Sequence, residues 1–170
     1  MNARVNWGGG WDSYALGYKT AGDILVEHIE ETGHHIDALV YPIVFNYRQY
    51  LELMLKDVLM EARRYFDLEP SLEKGHALLS LWHPLRELIE RRWPDEPEEL
   101  DAVQENLRQI DVVDRGSYAF RYATDPKGDP SLPGEMEYID LQNLSEVVGR
   151  IGTFLEACAT ALSAEREASE

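Results

Sequence analysis

Apolar residues recur at three- and four-residue spacing through most of the chain, a period that marks helices rather than strands. From Asp12 or Ser13, either of which can cap a first turn, Leu16, Ala21, Ile24, Leu25 and Ile29 form a stripe running to about Thr32. Gly33 then supplies the glycine that ends many helices. A second helix starts near Ile36 or at Pro42, since proline suits a first turn, and continues to about Phe66 as the central helix. A third starts at His76 and carries Leu78, Leu81, Trp82, Leu85, Leu88 and Ile89; Pro84 inside it predicts a kink or a split. Asp95 and Pro97 open a fourth on Leu100, Val103, Leu107 and Ile110, with acids massed in the first turn where the helix dipole favours them. The period then drops to two at residues 117–122. Turn signals at 125–128 and 133–134 precede a second short extended run at 136–139, which predicts a small β-hairpin or extended flap over 117–139. Asp140 caps a last long helix on Leu144, Val147, Val148, Ile151, Phe154, Leu155, Cys158 and Leu162. The pattern as a whole predicts an all-α bundle of about five helices.

The 170 residues fit one domain with a single core, expected over 11–164, between a flexible lead at 1–10 and an acidic tail at 165–170. The triple glycine at 8–10 reads as part of that lead, because no strand precedes it and no Lys-Ser/Thr pair follows as a phosphate loop requires. No apolar run reaches the roughly 20 residues of a membrane span, and the N-terminus has no signal-peptide pattern, so the expectation is a cytoplasmic protein with no membrane. The lone Cys158 excludes an internal disulfide framework and a cysteine-rich zinc site, and reads as a buried inert thiol. Neither HxxxH nor HExxH occurs, and His76 and His83 lie two turns apart, so no metal and no cofactor are expected.

Charge changes the picture more. The net charge is −16, and residues 94–114 alone carry one basic and eight acidic residues. Such a chain has no general attraction for nucleic acid and would bind it only through a local basic pocket. Glu98, Glu99 and Asp101 in that stretch are candidates for binding a basic protein partner, against the plainer reading of a solvated acidic face.

The sharpest chemical feature lies in YPIVFNYRQYLELMLK at 41–56. Arg48, Glu52 and Lys56 stand four residues apart and share one helix face, inside a surround of Ile43, Val44, Tyr47, Leu51, Met54 and Leu55. An unpaired buried charge costs several kcal/mol or more, so the ladder must be an ion-pair network or an active site. Arg121 and Tyr122 on the expected flap are candidates to face it, with Arg121 bridging to Glu52 or holding a phosphate. Arg48, Lys56, Arg121 and Tyr122 are the candidate ligand-binding residues, and Arg48, Glu52, His76 and Arg121 the candidates for any catalysis.

These segments, with GHALLSLW at 75–82, GSYAFRYATDPKG at 116–128 and IDLQNL at 139–144, resemble a group of bacterial helical proteins related to the HEPN superfamily. The similarity runs in order over about residues 11–162. It implies an α-helical, usually dimeric protein of toxin–antitoxin, phage-defence or CRISPR-linked systems. Many members are metal-independent RNases in which a His helps the 2′-OH attack the adjacent phosphate and an Arg stabilises the developing charge. Their signature places His a few residues after Arg. In this chain Gln49 stands where relatives often carry His, and eleven residues separate Arg64 from His76. The resemblance carries over to Arg48, Glu52, Lys56, His76 and Arg121. It implies a non-catalytic module that acts through a partner, a ligand or its own dimer. The alternatives are a divergent endoribonuclease and an acidic antitoxin, immunity or nucleic-acid-mimic protein.

Overall fold

The computed structural model describes Asn2 and residues 10–71, 75–95 and 97–168. Five helices follow in order: α1 (Trp11–Thr32), α2 (Ile36–Tyr65), α3 (Leu78–Arg92), α4 (Pro97–Asp114) and α5 (Leu141–Glu167). The protein is an all-α bundle. Most of the lead expected over 1–10 lies outside the described residues. α5 runs through Glu167, into the stretch expected as an acidic tail, and Arg92 forks both oxygens of Glu165 at 2.7 Å.

α2 is the hub of the packing, lying against α1, α5 and α3, while α3 also packs on α4. The reason is the breadth of its apolar surface, since Leu53, Met54, Leu55 and Leu59 face different sides of the helix and are all buried. Trp82 of α3 closes the core beside Phe154 of α5, edge to face at 6.2 Å. Two glycines let flanking helices approach α2. A Cβ on Gly22 would stand 2.6 Å from the Tyr47 ring, and one on Gly152 would run into the Tyr50 hydroxyl and stand 3.0 Å from its Cζ.

Helix ends follow local chemistry with some departures. Gly33 takes the left-handed conformation, φ 66°, and its N–H bonds Ile29 O at 2.8 Å. Asp140 caps α5 by accepting from Asn143 N. α1 begins at Trp11, with Gly10 at the cap position in place of Asp12 or Ser13, and Asp12 falls in its first turn. α2 starts at Ile36, which leaves Pro42 inside the helix rather than in its first turn. Pro84 does not split α3, which is one element.

The expected hairpin does not form. Among the described residues the segment holds a single isolated bridge, Thr124 to Pro130. The first expected strand is instead a turn in which Tyr118 O accepts from Arg121 N and Tyr122 N. Ser117 sits at φ 54° and breaks any extended run. Asp125 Oδ1 accepts from Lys127 N and Asp129 N, and Pro126, Pro130 and Pro133 have no N–H for a ladder. The apolar members of the alternation, Ala119 and Phe120, are buried with Val44 of α2.

Candidate functional site

The ladder on α2 is a buried charge cluster. Arg48 and Glu52 are each 1% exposed, and Arg48 Nη1 meets Glu52 Oε2 at 3.1 Å. Glu52 Oε1 accepts from Lys56 Nζ at 2.6 Å and from His76 Nδ1 at 2.9 Å. Burial pushes the Glu52 carboxyl up, but Lys56 and His76 outweigh it and hold it below the usual carboxylate range. Lys56 is shielded by Trp11 of α1, whose ring centroid lies 5.6 Å from Nζ.

The cluster extends to two residues that sequence reasoning missed, Asp111 and Asp114 of α4. The apolar stripe of Leu100, Val103 and Leu107 continues along that face as Asp111 and Asp114, both buried. Asp111 reaches across to the start of α3, its two oxygens each taking one N–H, from Leu78 and Leu79, at 2.9 Å. It is the N-cap that α3's own sequence lacks, since Ala77 stands at that position. Arg48 does the converse for α4. Its Nε donates to Asp114 O at 2.7 Å and its Nη2 to Arg115 O at 3.2 Å, carbonyls at the helix end with no partner within the helix. Nη2 also donates to His76 O. Asp114 Oδ1 accepts from Tyr118 N and Ala119 N, which turns the chain as it leaves α4. A signal for both acids was present: two aspartates in the last turn of a helix oppose its dipole and therefore need compensating donors.

Arg121 and Tyr122 do not join the cluster. Arg121 is exposed, gives its Nε–H to Ser117 O at 2.6 Å, and lies over the Phe45 and Tyr122 rings, each 5.5 Å away. It does not bridge to Glu52, because the turn at 118–122 replaces the strand that was to carry it there. Tyr122 stacks on Tyr118 at 4.5 Å. His76 is on the cluster's outer side, its side chain 60% exposed. Of the acidic candidates, Glu98 and Glu99 are exposed and Asp101 pairs with Arg86 at 2.7 Å. Among the described residues no three His, Cys, Asp or Glu side chains are placed to hold a metal ion. Cys158 is buried.

A pocket of about 240 Å³ opens beside the cluster. Val44 of α2, Ile110 of α4, Val147 of α5 and Phe120 and Met136 of the connection wall it, and Arg48, Asp114 and Asp140 are its charged residues. Tyr47 also lines it, its hydroxyl bonded to Asp23 and Ser145; burial, chiefly, raises that phenol's pKa well above its ordinary value.

No protein-family model, curated protein or solved structure matches the chain.

Proposed function

We propose that this chain is a non-catalytic, HEPN-like helical module of the cytoplasm that acts by binding a protein partner or ligand in a bacterial defence or stress system. The observation that carries the reading is the engagement of Arg48. Its guanidinium is committed to Glu52 and to three backbone carbonyls, two of them at the end of α4. A transition-state-stabilising arginine must keep donors free for the charge that develops on phosphate, and this one has turned nearly all of its donors inward. The five-helix architecture and the ordered sequence resemblance over about 11–162 support the family reading.

One arrangement favours a second reading, a divergent metal-independent RNase. His76 gives its Nδ1–H to the ionised Glu52, which leaves Nε2 as the ring nitrogen that this carboxylate does not engage, on a side chain 60% exposed. A carboxylate that orients a histidine in this way is the usual support of a general base.

The purified protein incubated with tRNA and total RNA in EDTA, beside His76→Ala and Arg121→Ala variants, separates the two. The expected result is no cleavage by any of the three, with light scattering showing a dimer or a complex with a partner protein. Cleavage by the wild type that His76→Ala abolishes would establish the RNase reading and overturn the first.

A further inference from the structure

We propose that the pocket beside Arg48 is a binding site for a compact, largely apolar molecule that carries one protonated amine. Asp114 supplies the argument. It is 4% exposed and forms part of the pocket's wall. Its Oδ1 is used twice by the backbone of Tyr118 and Ala119, yet no hydrogen-bond donor among the described residues reaches Oδ2. Arg48 Nε lies 3.9 Å from that oxygen, inside ion-pair range but beyond a hydrogen bond, and its proton is given to Asp114 O instead. A buried carboxylate oxygen without a donor is costly, and a donor brought by a ligand would relieve the cost.

Charge selects which donor. The cluster holds two cations, Arg48 and Lys56, against three carboxylates, Glu52, Asp111 and Asp114. Those five side chains therefore carry one negative charge in excess. Arg48, already engaged, is the one basic side chain on the pocket wall, and the second carboxylate there, Asp140, adds to the negative field. An ammonium answers both the missing donor and the missing charge. A hydroxyl answers only the first, and an anion neither.

Shape selects the rest. The remaining wall is mainly aliphatic and aromatic, from Val44, Val113, Phe120, Leu144 and Val147. A volume of about 240 Å³ is below that of drug-sized sites and suits a small aralkylamine. Tyr138, 91% exposed at the rim, offers a ring to cover the bound molecule.

The inference deepens the binding-module reading by naming a ligand class, and its test is independent of RNA cleavage. Calorimetric titrations of the full chain at neutral pH and low salt would use phenethylamine, 2-phenylethanol and 3-phenylpropionate as probes. Phenethylamine is expected to bind at least tenfold more tightly than the alcohol, with no binding of the carboxylate. Asp114→Asn keeps an oxygen to accept from Tyr118 and Ala119 and should erase the amine's tenfold advantage. Val147→Phe, which fills the pocket from the α5 side, should abolish binding of both. Should Asp114→Asn fail to fold, the order of the probes on the wild type and the Val147→Phe result decide. Equal amine affinity in wild type and Asp114→Asn, binding that survives Val147→Phe, or no binding of any probe by the folded wild type would overturn the proposal. RNA cleavage would remove the binding-module reading and leave the amine titration to stand or fall alone.

Discussion

Glu52 is the residue on which the buried cluster turns, because one carboxylate answers Arg48, Lys56 and His76 together. Its folded pKa lies below its ordinary value, so the unfolded chain takes up the proton first. The stability it contributes is complete above the unfolded carboxylate pKa and is lost as pH falls through the depressed folded one. Asp57, raised by burial and by Asp12, works in the opposite sense, so the informative quantity is the difference between wild type and variant. Urea denaturation from pH 7 down to pH 3 should show Glu52→Gln less stable by about 3–5 kcal/mol at neutral pH, the usual cost of removing one partner from a buried pair. The gap should narrow steadily through the acid range; a gap independent of pH would mean that the Glu52 charge contributes nothing. The ladder was legible in the sequence because four-residue spacing on an apolar helix has one geometric meaning. Asp111 and Asp114 were not: Asp111 serves the start of α3, a pairing that exists only once α3 and α4 are side by side, and Asp114 serves the turn that follows α4.

At the scale of elements, close approach to α2 depends on positions without side chains. Gly22 faces the Tyr47 ring so closely that a methyl group would displace it. Gly22→Ala should therefore cost about 1–3 kcal/mol, as overpacking of a filled core does, despite alanine's better helix propensity. A thermal melt decides the sign, and a raised midpoint would show that α1 shifts without strain. Helices were readable because each repeats its period over many turns. The connection at 115–140 was misread because its two-residue alternation spans only six residues, 117–122. Over so short a run, side-chain capping by Asp114 and Asp125 outweighs strand propensity. Pro84 was expected to kink or split α3; it does not split it, because Leu81, Trp82, Leu85 and Ile89 around it are all buried and tertiary packing holds the helix through the proline.

For the molecule as a whole, the acidity of residues 94–114 divides into used and unused parts. Asp111 and Asp114 are internal, Asp101 is tied to Arg86 and Glu105 to Arg108, while Glu98 and Glu99 stand exposed in the first turn of α4. Glu98→Gln with Glu99→Gln should alter folding stability by no more than about 0.5 kcal/mol. If this face binds a basic partner, the same pair should weaken that complex and flatten its salt dependence; unchanged affinity would remove the acidic-face reading. Of the described helices, α5 alone is long and apolar enough to cross a membrane by length and composition, a test that a bundle's core helix also passes, and Val148, Ile151, Leu155 and Leu162 are buried against its neighbours. The capping of α3 by α4, and of α4 by α2, has a consequence for motion. Arg48 holds the end of α4, and α4 holds the start of α3 through Asp111. Fraying, which ordinarily begins independently at each helix end, is thereby coupled here. The amides of Leu78, Leu79, Tyr118 and Ala119 are therefore expected to exchange with solvent at one common rate, which native-state hydrogen exchange checks.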